Sequence, residues 1–174
     1  AGLAVAKNAI KGAYNPLLIY GKSGLGKTHL VQAIGSEAKE CFPQKNVLYV
    51  DAETFERQFC QATLDNTRTN FLSFYQSIDV LIVDDVQQFA KKESTQNAFF
   101  QIFNHLHQKG KQIILTTDCP PVEIQGIYDR LLSRFKWGLS AELTTPNFET
   151  RLAILRHKTI SQGIEIEEEV LEYI

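Results

Sequence analysis

The sequence has little of what marks secreted, membrane-spanning or disulfide-stapled proteins. Its 174 residues include three cysteines, Cys41, Cys60 and Cys119, which lie far apart and lack the spacing of a metal site. An odd number of distant cysteines argues against a disulfide framework and fits a reducing compartment. No apolar run approaches the roughly 20 residues that a membrane span requires. We therefore expect a cytoplasmic protein with no membrane span.

An excess of charge of one sign is also missing. The sequence has 18 Lys and Arg against 20 Asp and Glu, which gives a formal net charge of −2. This balance provides no general attraction to nucleic acid, so any DNA contact must be local. Of the four histidines, His105 and His107 stand two apart on a predicted helix and face different sides, so we expect no metal site from them.

Short apolar segments alternate with longer amphipathic ones along the chain. This alternation predicts an α/β fold with a parallel sheet covered by helices. The predicted strands are 17–20, 47–50, 80–83, 113–116 and, more weakly, 137–143, and the predicted helices are 27–39, 53–64, 69–76, 95–108 and 127–135. We expect Trp137 and the phenylalanines in the core.

The chain divides into two predicted parts. Residues 1–146 form the main domain, and the Pro146-Asn147 step opens a new helix for which Asn147 is a plausible N-cap. Residues 168–174 have a helical pattern that stops midway, and the chain does not begin with Met. We therefore expect a piece of a longer protein.

The strongest chemical signal follows the first predicted strand. It satisfies the G-x-x-x-x-G-K-[ST] phosphate-loop pattern, in which glycines let backbone N–H groups converge on phosphate oxygens at a helix N-terminus. Lys27 should bridge the β- and γ-phosphates of ATP, and Thr28 should supply a hydroxyl to Mg²⁺. The alternative is a glycine-rich turn with an exposed lysine. The residues assigned to ATP or ADP are Gly21, Lys22, Ser23, Gly24, Leu25, Gly26, Lys27, Thr28 and His29.

Two acids, Asp84 and Asp85, follow the third predicted strand. The buried strand delivers Asp84 beside the phosphates, where its carboxylate can hold a Mg²⁺-bound water. Asp85 then points elsewhere and can orient the attacking water or accept its proton. Taken alone, the pair could also simply open a turn.

Two further sites have open alternatives. Asp118 follows the fourth strand and suits a γ-phosphate sensor, although it could instead cap the turn that starts at Cys119. Arg130 and Arg134 lie four residues apart on one helical face. One alternative is that they provide an arginine finger, a guanidinium that reaches the γ-phosphate of a neighbouring subunit. The other is that they form a solvated salt-bridge face with Asp129.

Together these segments resemble the AAA+ ATPase domain of the DnaA family of bacterial replication initiators. The resemblance implies a P-loop NTPase of AAA+ type, with a three-layer sandwich around a five-stranded parallel sheet and the start of a small helical lid at 147–174. It identifies Arg134 as the arginine finger and Arg130 as a supporting interface residue. AAA+ proteins usually carry Glu where Asp85 stands. The matching segments are 15–17, 21–30, 80–89, 96–106, 117–118 and 129–138.

The resemblance also implies contacts with single-stranded DNA. Residues 53–76 resemble the initiator-specific helical insertion, and the matching DNA-binding positions are Cys60 and Lys92. A basic residue common in the family two positions beyond Lys92 is Ser94 here, which removes one phosphate contact. Without the resemblance, Lys91 and Lys92 read as a solvated loop.

Two functions of different class follow. The first is the ATP-binding and hydrolysing core of a replication initiator, which self-assembles on origin DNA through nucleotide-bridged interfaces and helps open the duplex. Such an initiator is nucleoid-associated and has the replicative helicase as a further partner. The alternative is a DnaA-like regulator or helicase loader, an ATP-switched assembly module with little hydrolysis, which the shorter Asp85 favours somewhat. A GTPase is disfavoured because the Asn-Lys-x-Asp motif is missing, and a small-molecule kinase would not need a trans-acting Arg134.

Overall fold

A computed structural model of the chain describes residues 14–164, and within them lie five strands, six α-helices and one 3₁₀ turn. The bounds of the five strands and of the first five helices differ from the predicted ones by at most two residues. The strands are β1 Leu17–Tyr20, β2 Val47–Asp51, β3 Val80–Asp84, β4 Gln112–Thr117 and β5 Leu139–Glu142. The helices are α1 Lys27–Cys41, α2 Ala52–Leu64, α3 Arg68–Gln76, α4 Glu93–Gln108, α5 Asp129–Phe135 and α6 Phe148–Gln162, and the 3₁₀ turn is Val86–Phe89.

The strands form one parallel sheet in the order β2-β3-β4-β1-β5, which confirms the predicted five-stranded parallel sheet. Every side chain of β3 and β4 is buried, because helices cover both faces of a parallel sheet. Parallel strands place their carboxyl ends at one edge of the sheet. The segments that follow β3, β4 and β1 therefore meet at the centre of that edge.

The core has two layers, one on each face of the sheet. On one face α1 packs Val31 and Ile34 against the strands. On the other face Phe55 of α2 is fully buried and meets the rings of Phe71, Tyr75, Phe89 and Phe99 with centroids 4.8–5.5 Å away. This aromatic cluster ties the insertion helices to α4 and to the 3₁₀ turn.

The predicted insertion at 53–76 is two helices, α2 and α3. Asp51 begins α2 as an N-cap, since its carboxylate accepts the N–H of Thr54 at 2.7 Å. Not every phenylalanine of the chain is in the core, because Phe74 of α3 and Phe148 of α6 are about half exposed. Within residues 14–164, no helix is both long and apolar enough to cross a bilayer.

The chain divides into two compact units, residues 1–143 and 144–174. In the second unit, the side chain of Asn147 accepts the N–H of Thr150 at 2.9 Å, which confirms it as the N-cap of α6. The helix ends at Gly163, which has a left-handed conformation with φ 67°. The helical pattern predicted for 168–174 lies outside the described residues.

Candidate active site

A cavity of about 460 Å³ lies at the carboxyl edge of the sheet. Its walls come from the loop after β1, from the start of α1 and from the ends of β3 and β4. It therefore brings together most of the residues that the sequence assigned to the nucleotide and to the attacking water. The lining residues are Ser23, Gly24, Gly26, Lys27, Thr28, His29, Gln32, Asp85, Gln87 and Asp118.

The loop between β1 and α1 depends on two of its glycines. Gly26 has φ 90° and is the N-cap of α1, a conformation that disfavours any residue with a Cβ. A Cβ on Gly21 would lie 2.3 Å from the carbonyl oxygen of Leu143, so only glycine fits there. No side chain caps the first turn of α1, and its free N–H groups are the donors that bind anions at helix N-termini.

Lys27 is buried, with 7% of its surface exposed. Its ammonium donates to the carbonyl oxygens of Gly21 at 2.7 Å and Lys22 at 3.1 Å. The alternative of a turn with an exposed lysine is therefore wrong. An ammonium has three donors, so Lys27 keeps one for a group in the cavity.

The Asp84 side chain is only 3% exposed and is surrounded by hydroxyl groups. Its Oδ2 accepts hydrogen bonds from Thr28 at 2.6 Å and Tyr49 at 2.8 Å, and its Oδ1 accepts one from Thr116. Burial and the hydrogen bond to Asp84 raise the pKa of Tyr49 to about 12, so the phenol stays protonated and remains a donor. Three hydroxyls thereby compensate the burial of one carboxylate.

Two of these groups, the hydroxyl of Thr28 and the carboxylate of Asp84, also suit a magnesium ion. The hydroxyl of Thr28 and the carboxylate of Asp84 are hard oxygen ligands that already lie within hydrogen-bond distance of each other. Among residues 14–164, no cluster of three or more His, Cys, Asp or Glu could hold a metal ion alone. Mg²⁺ suits such a sparse site, since it usually takes one or two carboxylates and completes its shell with phosphate oxygens and water.

Asp85 has a different environment from Asp84. Its backbone is left-handed, with φ 57° and ψ 50°, and its N–H donates to the hydroxyl of Thr116 at 2.8 Å. Its carboxylate accepts a hydrogen bond from Gln87 at 3.1 Å and lines the cavity, whereas it makes no capping bond to the 3₁₀ turn that it precedes. The alternative that Asp84 and Asp85 only open a turn is therefore wrong.

Sequence reasoning missed Thr116, Tyr49 and Gln87. The parallel register pairs Val83 with Leu115, so Thr116 stands beside Asp84 at the strand ends. A polar residue near the carboxyl end of a buried strand was a usable signal for Thr116. Nothing in the local sequence marks Tyr49 or Gln87, because their partner acids become neighbours only through the sheet and the turn.

Asp118 is exposed and lines the cavity that the phosphate loop also lines. Burial, followed by a hydrogen bond with Asp118, raises the pKa of the Cys119 thiol. Asp118 thus shares a cavity with the phosphate loop and Asp85.

The two predicted interface arginines lie on α5 against α4. Arg134 donates to the amide oxygen of Asn104 at 3.0 Å, and its guanidinium lies 4.6 Å from the ring centroid of Trp137. Arg130 donates to Asn97 and lies 4.9 Å over the ring of Phe100. Neither arginine lines the cavity of its own chain.

Two predictions about this surface are wrong. The ion pairs found between residues 14 and 164 do not join Asp129 to either Arg130 or Arg134, so the salt-bridge face with Asp129 is not formed. Trp137 is 58% exposed and not in the core. Its indole stacks on the imidazole of His107, with the ring centroids 4.7 Å apart. An indole suits this boundary with water because His107 and Arg134 offer it flat surfaces with polar edges.

Of the two predicted DNA-binding residues, Cys60 belongs to α2 and Lys92 contacts that helix. Lys92 forms an ion pair with Glu56 of α2, so the reading of Lys92 as a purely solvated lysine is wrong. Cys60 is exposed and stands four residues beyond Glu56, on the same face of the helix.

A family model, curated relatives and solved structures at about 40% identity agree on one family. The family described as Bacterial DnaA ATPase domain matches residues 1–142. The chain is 55% identical over 174 residues to the chromosomal replication initiator protein DnaA of Flavobacterium psychrophilum, covering 100% of this chain and 36% of that protein. Domain III of the Thermotoga maritima replication initiation protein DnaA has a TM-score of 0.93 and 40% identity, covering 99% of this chain and 71% of that one. A replication initiator DnaA bound to AMPPCP and single-stranded DNA has a TM-score of 0.89 and 39% identity, covering 99% and 53%.

Replacing Thr116 with valine, which has nearly the same shape, tests the link between the two acids. The change leaves an oxygen of Asp84 and the N–H of Asp85 without their partner. We expect the free energy of unfolding to fall by about 1–3 kcal/mol, measured by urea denaturation.

Thr117 is the matched control, since it is equally buried but its hydroxyl only approaches the sulfur of Cys119 at 4.0 Å. Thr117→Val should cost less than about 1 kcal/mol. Equal losses from the two substitutions would show that Thr116 does not stabilise the acids.

Proposed function

Because this chain belongs to the family of bacterial DnaA ATPase domains, we propose that it is the ATP-binding and ATP-hydrolysing core of a chromosomal replication initiator. One observation carries the proposal: the buried ammonium of Lys27 and the Thr28–Asp84 pair lie at the cavity that Asp85 also lines. The chain spans 36% of the Flavobacterium initiator, so the proposal concerns its ATPase domain first.

The phosphate loop, residues 21–29, holds the phosphates of ATP or ADP. The N-terminal N–H groups of α1 and the Lys27 ammonium supply the positive charge that a triphosphate needs. Thr28 and Asp84 hold Mg²⁺, which when bound neutralises charge on the phosphates. A solved relative that is 39% identical is bound to AMPPCP, which supports a nucleotide in this cavity.

Hydrolysis uses a water molecule placed between the γ-phosphate and Asp85. The water oxygen bonds to the γ-phosphorus, the bond from phosphorus to the β,γ-bridging oxygen breaks, and ADP leaves with that electron pair. The carboxylate of Asp85 orients the water and accepts its proton, while Asp118 contacts the γ-phosphate. The reaction is slow in a single chain, because Asp85 is one methylene shorter than Glu and no arginine among residues 14–164 lines the cavity.

A second copy of the chain completes the site. Arg134 and Arg130 belong to α5 and are held against α4, and neither lines the cavity of its own chain. This placement suits contact with the nucleotide bound by a neighbouring subunit. An arginine that meets the γ-phosphate in this way stabilises charge in the transition state and makes assembly depend on ATP. The matched relatives are initiators, so the alternative of a DnaA-like regulator or helicase loader is not favoured.

The assembled chains bind single-stranded DNA and origin DNA through the face that carries Cys60 and Lys92. A solved relative is bound to single-stranded DNA, which supports this partner. Residues 147–174 are the beginning of a helical lid subdomain, and residues 1–146 are the AAA+ core. We assign the longer protein to the nucleoid in the cytoplasm, with the replicative helicase as a further partner.

Removing the Lys27 ammonium tests nucleotide binding. Lys27→Ala should weaken ATP affinity by about 100-fold or more, since a buried charge-assisted contact with phosphate is lost. Calorimetry of ATP binding with Mg²⁺ present measures the change. Lys39→Ala is the control, because Lys39 lies on the same helix and also donates to two backbone carbonyls, yet does not line the cavity. Equal ATP affinity in the Lys27 and Lys39 variants would disprove the assignment.

Removing the Arg134 guanidinium tests the shared site. Arg134→Ala should leave ATP binding by the monomer within about threefold, whereas ATP-dependent assembly of the full-length protein, followed by sedimentation without DNA, should be lost. Arg68→Ala is the control, since Arg68 also lies over an aromatic ring, that of Phe59 at 5.1 Å. Assembly of the Arg134 variant at the wild-type ATP concentration would refute a trans-acting role.

Breaking the ion pair between Lys92 and Glu56 tests whether Lys92 contacts the DNA phosphates. Glu56→Gln should raise affinity for oligo(dT) several-fold, because it frees Lys92 for a phosphate and makes affinity fall more steeply with salt. Fluorescence anisotropy at several salt concentrations measures both effects.

Glu53→Gln removes the same charge from an exposed position of α2 and gives the general electrostatic effect. The gain from Glu56→Gln should exceed it, and should disappear when Lys92 is also alanine. An equal gain from both glutamate variants would mean that Lys92 does not bind the phosphate.

A further inference from the structure

One buried polar atom in the cavity wall lacks a partner. Among the buried side-chain nitrogen and oxygen atoms of residues 14–164, Oε1 of Gln87 is the one without a hydrogen bond. Gln87 lies in the 3₁₀ turn after Asp85 and lines the cavity with Asp85 and Asp118. A buried carbonyl oxygen without a donor destabilises the fold, so its presence beside the phosphate loop calls for a reason other than stability.

The orientation of the Gln87 amide is set by Asp85. Its Nε2 donates to Oδ1 of Asp85 at 3.1 Å. The reverse orientation would place the carbonyl oxygen against the carboxylate, where two acceptors repel each other. The donor therefore faces Asp85, and the acceptor is left in the buried position.

The backbone prevents Gln87 from relaxing out of this arrangement. The N–H of Gln88 donates to the carbonyl oxygen of Asp85 at 3.0 Å, and the N–H of Ala90 donates to that of Gln87 at 3.0 Å. Val86 and Phe89, on either side, are fully buried in the core. The turn is thus fixed at both ends, which keeps the side chain of Gln87 beside Asp85.

We propose that Gln87 is a positioning residue that holds the carboxylate of Asp85 toward the cavity, and that this hydrogen bond is retained at the expense of stability. The proposal rests on the proposed ATP hydrolysis and names a further residue for it. Gln87 takes no proton and forms no bond to phosphorus. It restricts the rotation of a short carboxylate that, in this chain, has to place the attacking water where AAA+ proteins usually use the longer Glu.

Gln87→Met tests the proposal, because methionine has nearly the size of glutamine but neither its donor nor its acceptor. In the full-length protein, we expect single-turnover ATP hydrolysis to fall by about 10- to 100-fold, a share of what general base catalysis contributes. ATP affinity should stay within about threefold. The melting temperature should be unchanged or higher by up to about 4 °C, since the unpartnered oxygen is gone.

Gln88→Met is the matched control, since Gln88 is the next residue of the same turn but is exposed and does not line the cavity. It should keep wild-type hydrolysis, affinity and melting temperature. Gln87→Glu separates shape from hydrogen bonding: it keeps the size but removes the donor, so it too should lose hydrolysis.

Three results would overturn the proposal. Hydrolysis by Gln87→Met within twofold of Gln88→Met would show that Asp85 needs no such support. A melting temperature several degrees lower in Gln87→Met, with hydrolysis restored on cooling, would show a structural role only. A wild-type protein that binds ATP but never hydrolyses it, alone or assembled, would overturn the proposed hydrolysis itself, and the two failures are thereby distinguished.

Discussion

The buried carboxylate of Asp84 is the constraint around which this site is organised. It takes hydrogen bonds from hydroxyls on three different elements: Thr28 of α1, Tyr49 of β2 and Thr116 of β4. A buried charge without such partners would cost more than a domain of this size can offset. The start of α1, Tyr49 of β2 and Thr116 of β4 must therefore lie at the same level of the sheet, so that compensating this one charge also fixes the position of the phosphate loop.

The next residue shows how one turn separates two acids. The left-handed backbone of Asp85 directs its side chain into the cavity, while the hydroxyl of Thr116 bonds to its N–H and to the carboxylate of Asp84. One acid is then buried and hydrogen-bonded to three hydroxyls, whereas the other is accessible and held by Gln87 alone among the side-chain hydrogen bonds found in residues 14–164. Such a division suits a pair in which one acid serves a metal ion and the other a water molecule.

The surfaces that would meet a partner are held in place by contacts within the chain. Arg134 and Arg130 contact asparagines of α4, Arg130 also lies over the ring of Phe100 of α4, and Arg134 lies over the ring of Trp137. Lys92 forms an ion pair with Glu56 of α2. Pre-ordered side chains lose less conformational entropy on binding, which favours association, but a cation already paired must give up that pair before it meets a phosphate. The proposed interface with another copy is thus better prepared than the proposed DNA face.

The sequence alone determined the parts of this protein that depend on neighbours along the chain. Strand and helix bounds follow from apolar periodicity, and the phosphate loop with Asp84 follows from a contiguous motif beside a strand. Only the tertiary structure decided the partners of Asp84, the ion pair of Lys92 and the exposure of Trp137. Thr116 is 32 residues from Asp84, Tyr49 is 35, and Lys92 is 36 from Glu56. Those pairs meet through sheet register and helix packing, which local patterns do not encode.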